Sequence, residues 1–547
     1  MWIQNYDPMG SWPLSTLLAA VPIVVLLGLL VSGRVGAWQS ALAGLASAMV
    51  LAVFAFGMPA RMVFAAAGYG SVFAAFRILW LIVAAVFLYD IAVKTGQFDV
   101  MKRSIARLSG DRRLQAVMVA FSFGAFVEGA AGFGAPVAIS AAFLVGLGFR
   151  PFQAAVLCLI ANTAPVAWGS IGIPIATLAK VTGLNVEHLS ATSGRILPFM
   201  SLLIPFWLVR TMCSWRETFA VWPALLTVGG TFATVQFVWS NFVGFELVDI
   251  VSAVASLVVG AVFLSFWKPK DEWRFPEDAI KVHDGGLSPK VVMKAWMPFA
   301  ILTAMVLVWG LKPVKKAIDD ATSWHPPLTA LHLKVAKGEA VTGHATPEDK
   351  DREEAKLDII PIVATGTAVF FAAVLSGFLL GVGPVEQVRI LGGTIRRLVP
   401  AMVAILAMLS LGFVTKYSGM DAVLGLAFTR TGRILYPIFG TLLGWLGVAL
   451  TGSDTSSNVL FGNLQTITAK KLNLSPVLMA SANTTGGVMG KMIDAQSIVV
   501  AAAATGEGGK EGDILRAVFW HSLSLALIVG AIVWVYAHLL PGVVVGG

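Results

Sequence analysis

Charge is what this sequence has least of. Across 547 residues, Asp, Glu, Lys and Arg make up 13%, where a soluble domain carries about 25%. That shortage excludes an ordinary soluble globular protein. Cysteine is nearly absent, and Cys158 and Cys213 supply neither a disulfide framework nor a four-ligand metal site. No cofactor and no metal are expected. There is no HExxH, nucleophile elbow, P-loop or dinucleotide fingerprint, so nothing supports an enzyme. The net charge of +9 comes without a nucleic-acid module and is expected to reflect basic loops facing anionic lipid. The opening "MWIQNYDPMGSWP" lacks a basic n-region, so the first apolar run is expected to be retained.

What fills the chain instead is apolar: 57% of residues are hydrophobic and the mean hydropathy is +0.81. Apolar stretches of about 18 residues or more recur, and about 20 are needed to cross a bilayer core as a helix. The expected fold is an all-α polytopic membrane protein with about 12 transmembrane helices plus two re-entrant hairpins. Spans are expected near 14–31, 38–57, 78–93, 196–209, 219–239, 247–267, 296–311, 357–380, 398–414 and 515–540. The stretches 152–180 and 476–504 contain polar and Gly/Pro interruptions and read as broken helices. The stretches 114–149 and 434–470 carry a polar turn midway and read as hairpins. The segment 312–356 mixes eight basic with eight acidic residues and reads as a surface insertion.

An internal repeat organises these pieces. At an offset of 321 or 322 residues, Lys94, Asp99 and Gly110 match Lys416, Asp421 and Gly432. "ANT" at Ala161–Thr163 matches Ala482–Thr484, Gly169 matches Gly490, and Arg195 matches Arg516. The expected division is a first transmembrane repeat at 1–212, linking spans and a polar loop at 213–295, and a second repeat at 296–547 carrying the insertion. Basic residues between 94 and 113 are expected to place that stretch inside, and the two halves then cross in opposite directions, while the basic residues in 312–356 and 415–433 argue the other way. On 94–113, Phe98, Met101, Ile105 and Leu108 share a helical face, as in an interfacial arm.

"EGAAGFGAP" (Glu128–Pro136) interrupts an otherwise apolar run, and "TGSDTSSN" (Thr451–Asn458) does the same in the second half. Irregular backbone is tolerated at membrane depth only where protein buries it or it lines a cavity. These two tips, with breaks expected at "NTAP" (Asn162–Pro165) and "NTTGG" (Asn483–Gly487), would converge near the midplane. Helix N-termini gathered there suit a carboxylate substrate.

The segments "FVEGAAGFGAPVAISAAFLVGLGF", "TGSDTSSNVLFGNLQ" and "ANTTGGVMGKMIDAQSIVVA" resemble the bacterial L-lactate permease family, and the similarity runs over essentially the full chain. The resemblance implies a symporter of lactate, glycolate or other 2-hydroxymonocarboxylates with protons, in the cytoplasmic membrane. The wider superfamily implies an elevator-like mechanism.

The residue reading assigns roles alongside. Glu128, among apolar neighbours that disfavour its charge, is the expected proton carrier, with Asp454 and Asp494 as further coupling candidates. Gly129, Gly132, Asn162, Thr163, Ser453, Thr455, Ser456, Ser457, Asn458, Asn483, Thr484, Thr485 and Lys491 are the substrate-binding candidates. Each has a plainer reading. The serines and Asp454 can cap helices, the Asn and Thr residues can re-satisfy a broken helix, and Lys491–Asp494 can be an intrahelical pair. His521 reads as a hydrogen-bonding residue of the bundle. Expected partners are a small hydroxycarboxylate, protons and the lipid bilayer, with no nucleic acid, and a homo-oligomer stays open. The rival readings are a Na⁺-coupled carboxylate transporter and a proton-translocating subunit of a respiratory complex.

Overall fold

Long apolar runs with few breakers build helices almost throughout this computed structural model, about 79% of which is helical. The structure describes all residues except 33–34, 107, 131–134, 276–287, 343–346, 358, 508–509 and 547. Among them the single sheet pairs Trp2–Ile3 with Val335–Ala336 in parallel. Among the described residues, five helices are long and apolar enough to cross a membrane alone, or up to seven if each bent pair is one span. Others, such as Trp12–Leu26 and Gly366–Leu379, are apolar but shorter. Length and composition thus give fewer spans than the 12 expected.

Three expected spans change shape. The run at 78–93 is the second half of a longer one: Ala60–Phe73, a π-helical turn Ala74–Leu79, and Trp80–Lys94 follow without a break. The run at 398–414 belongs to Pro384–Ser418, a 35-residue helix with Pro400 inside it. The run at 357–380 becomes helical only at Thr365, in Thr365–Leu379. Ahead of it, Ile359 and Lys356 pair with Trp324 and Pro327, because the polar insertion folds back on itself there.

Contacts sort the helices into two bodies. One holds Trp12–Ser32, Ala37–Phe54, the run 60–94, Pro289–Gly310, Thr365–Leu379 and Pro384–Ser418. The other holds the helices between 112 and 266 and between 432 and 538. The chain passes from the first body to the second along two short helices, Gln97–Ala106 and Met420–Phe428. On Gln97–Ala106, Phe98 and Met101 of the expected face are buried while Asp99 and Arg103 are exposed; Leu108 beyond it is half-buried, and the Ile105 side chain lies outside the described residues. Outward-facing rings such as Phe54 (84% exposed), Phe242 (74%) and Trp520 (69%) would be unfavourable in water over so large an area and suit lipid. Arg113, counted as a loop charge in the orientation reading, is buried instead. It pairs with Asp111 at 2.6 Å and donates to the carbonyls of Glu217 and Asp271.

Candidate functional site

The second tip is a helix–turn–helix. Gly432–Thr451 ends where Gly452 takes a left-handed conformation (φ 72°), and Asp454–Lys471 begins directly after Ser453. Glycine is suited to that turn because a Cβ would strain it. Ser453 caps the new helix by accepting from the Ser456 amide at 3.3 Å. Asp454 therefore sits in the first turn, where the helix end carries partial positive charge.

Opposite lies Pro476–Gly490, buried from Val477 to Gly490 and continuous through Asn483–Gly487. The break expected at "NTTGG" is not there. Its glycines serve close approach instead. A Cβ on Gly486 would strike the Thr441 carbonyl, one on Gly487 the Asp454 carboxylate, and one on Gly490 the Trp445 carbonyl. The break comes later. Lys491–Ile493 form a 3-10 turn, Asp494 is extended, and Asp494 caps Ala495–Thr505 by accepting from the Ser497 amide at 2.7 Å. Lys491 and Asp494 are thus not a pair on a regular helix. They meet at 3.0 Å across the break, and Lys491 Nζ also donates to the Gly452 carbonyl at 2.6 Å.

In the first half, Pro151–Ala161 stops at Asn162, and the chain turns by 66° before running on to Thr182. Ser170, Ile171 and Gly172 all have positive φ (46°, 61° and 79°). For the β-branched Ile171 this is strained backbone of the kind functional sites hold. Gln236 Nε2 donates to the Ala164 carbonyl freed by the turn, at 3.3 Å.

These parts share one interior. Asn458 Nδ2 donates to the Pro174 carbonyl of the first half at 3.2 Å, to Thr484 Oγ1 at 3.0 Å and to Asp454 Oδ2 at 3.4 Å. Thr484 Oγ1 donates to Asp454 Oδ2. Asn483 Nδ2 donates to Asn458 Oδ1 at 2.9 Å, and Gln465 Nε2 donates to Asn483 Oδ1 at 3.2 Å. Glu128 is buried, with Oε2 free of any hydrogen-bond donor among the described residues. Asn162 stands beside it without closing a hydrogen bond of normal geometry. Gly169 must be small, since a Cβ there would lie 2.7 Å from Glu128 Oε1. Lys491 is near enough to act electrostatically on both Glu128 and Asp454.

Several candidates stand differently. Thr163, in the turn after Pro151–Ala161, donates to the Ile160 carbonyl, and Thr485 donates to the Ser481 carbonyl of its own helix. Ser456 Oγ faces Met408 Sδ at 3.0 Å, and Ser457 Oγ donates to the Gly444 carbonyl at 3.2 Å while accepting from Asn483 Nδ2 at 3.5 Å. Thr455 is half-buried and takes no part in the network described above. Gly129 packs on Asp249 and Ile250, while Gly132 lies outside the described residues. His521 accepts from Trp207 Nε1 at 3.1 Å, as a bundle residue would. The sequence reading missed Asp249. It sits two positions into a run taken as a plain span, yet it is 1% exposed with neither oxygen hydrogen-bonded among the described residues.

A protein-family profile described as L-lactate permease matches residues 15–540. The glycolate permease GlcA of Escherichia coli K12 is 44% identical over 100% of this chain and 99% of its own length. An L-lactate permease of Bacillus subtilis 168 is 44% identical over 98% of each chain, and one of Escherichia coli K12 is 42% identical over 99% of each. Among solved structures, the YdaH transporter of Alcanivorax borkumensis aligns over 85% of this chain and 86% of that one, at 14% identity and a TM-score of 0.44. That likeness is too distant to carry any argument about the site.

Proposed function

The chain belongs to the L-lactate permease family, and from that premise we propose that it imports L-lactate and related 2-hydroxymonocarboxylates, glycolate and D-lactate among them, together with protons. It is a multi-pass membrane transporter and not an enzyme. Its expected home is the bacterial cytoplasmic membrane.

One observation supports the transport site above the rest. A buried network of amides, hydroxyls and carboxylates joins the 452–458 tip, the helix Pro476–Gly490 and the kinked first-half helix through Asn458 and Pro174. Amides and hydroxyls are the groups that recognise a hydroxyl-bearing carboxylate, and Lys491 is the buried cation beside them. In this reading the substrate carboxylate exchanges with Asp494 or the Gly452 carbonyl at Lys491. Asn458, Asn483 and Thr484 orient the hydroxyl, and Glu128 carries the proton. The network is closed to solvent, as an occluded conformation of an alternating-access carrier would be.

The two-repeat reading, 1–212 and 296–547 joined by 213–295, draws support from matched geometry. The left-handed kink at Ser170–Gly172 and the 3-10 turn at Lys491–Ile493 lie 321 residues apart, the offset of the sequence repeat. The short helices starting at Gln97 and Met420 lie near the same offset. Two bodies joined by two arm helices are the parts an elevator-type motion needs.

Counterflow of labelled L-lactate in liposomes, against a panel of unlabelled acids, tests the substrate. Lactate uptake that survives loss of a sodium gradient and stops with loss of the proton gradient supports proton coupling. The opposite pattern moves the protein to the Na⁺-coupled reading.

A further inference from the structure

We propose that Asp249 is a second proton-carrying acid of the transport site, acting as a pair with Glu128; this rests on the proton-coupled reading above. Asp249 lies in the first turn of Val248–Phe266 and is 1% exposed. Its backbone sits directly on Gly129, the residue after Glu128: a Cβ on Gly129 would come within 3.0 Å of Asp249 Cβ and of the Ile250 amide nitrogen. The plain reading is a first-turn acid placed for the helix dipole. Such an acid ordinarily takes up one of the free N–H groups of the helix end, and neither oxygen of Asp249 does so among the described residues.

Among the described residues no cation forms an ion pair with either acid. Among the elements packed against Val248–Phe266, the π-helical turn Val117–Phe123 and the helix Trp222–Phe242 carry no titratable side chain, and Gly124–Ala130 carries only Glu128. Gly169–Thr182 carries Lys180, whose ammonium lies over the rings of Tyr69 and Phe73 at 5.6 and 5.4 Å. Among these elements the acid beside Asp249 is Glu128, whose neighbour Gly129 packs on Asp249 and Ile250. Lys491, which does reach Glu128, is already held by Asp494 and the Gly452 carbonyl. Two neighbouring carboxylates in a low-dielectric interior cannot both carry charge, so a closed site requires a proton on the pair. The step balances simply. A proton from the outer solution forms an O–H bond on one carboxylate, and the same bond breaks to release it inside. The two acids titrate as a unit rather than separately.

The test uses purified full-length protein in liposomes, reading the pH profile of L-lactate uptake and lactate-driven proton movement with a trapped pH dye. Asp249→Asn is expected to move the midpoint of the uptake profile by about one pH unit, a tenfold change in proton concentration, and to weaken pH-driven accumulation. If that variant does not fold, Gly129→Ala displaces Asp249 without removing it, and the same shift is expected. A wild-type profile and accumulation in whichever variant folds overturns the proposal. Absence of lactate-driven proton movement in the unmodified protein would sink the coupling reading itself, a distinct result.

Discussion

Asn458 is the residue on which the site turns, because its side chain reaches Pro174, Thr484, Asp454 and Asn483 at once. Replacing it with Ala is expected to weaken apparent lactate affinity by about tenfold to a hundredfold, since a hydrogen bond to a charged group contributes about 1.5–3 kcal/mol. Ser456→Ala, whose hydroxyl faces Met408, is expected to do less. Unchanged affinity in purified Asn458→Ala would take the tip out of the substrate's surroundings. Glu128→Gln is expected to lose accumulation against a gradient. A small hydroxy acid with a pKa of about 3.9 is almost fully anionic at neutral pH. The membrane potential opposes its entry by about 2.3 kcal/mol per 100 mV. Full pH-driven accumulation in Glu128→Gln would pass the proton to Asp454, Asp494 or Asp249. Glu128 was legible as a lone acid in an apolar run, where an acid is costly, and Asp454 as the acid of a polar tip between two apolar helices. Asp249 was not, because an acid two residues inside the edge of a span is ordinary there. Only its neighbour in space, Glu128, makes it unusual.

Elements were legible where the hydrophobic pattern was long and misread where glycine had two uses. "NTAP" and "NTTGG" look alike on paper. Pro165 ends the first helix, whereas Gly486, Gly487 and Gly490 let Pro476–Gly490 lie against Gly432–Thr451. Small residues at such contacts let helix backbones approach closely in membranes. Gly486→Val should therefore lower thermal stability in detergent by about 1–3 kcal/mol or prevent folding, and an unaltered melting temperature would contradict that contact. The polar insertion was legible as a segment, though its docking was not. Glu353 is ion-paired with Lys337 at 3.3 Å. Burial works against its charge, but Lys416, Lys337 and Lys470 together hold its carboxyl below the usual carboxylate range. The sign follows. At neutral pH the stabilisation is complete, and it fades as pH falls below about 4.3 and through the depressed folded value. Protease cleavage within 323–360 is expected to rise in that acid window, and Glu353→Gln should be cleaved faster at neutral pH. Equal cleavage of both proteins at pH 7 would show that the ion pair does not hold the insertion down.

At the scale of the whole molecule, the buried network lies within the second body, and each body draws helices from both halves of the sequence. Composition alone gave the membrane and the helices. Hydrophobicity says which residues avoid water but not which helices touch, so the sorting into bodies needed coordinates. The arm at Gln97–Ala106 was visible beforehand because its apolar face and charged face alternate with helical period. Family membership fixes the class of molecule as a transporter, and the central claim beyond it is that lactate and protons cross together on this one chain. The most direct measurement is proton uptake into liposomes that contain only this protein, after external L-lactate is added with sodium absent and the membrane potential clamped. The expected result is alkalinisation outside that depends on lactate and is lost in Glu128→Gln. Labelled lactate entering those liposomes with no accompanying proton movement would contradict it.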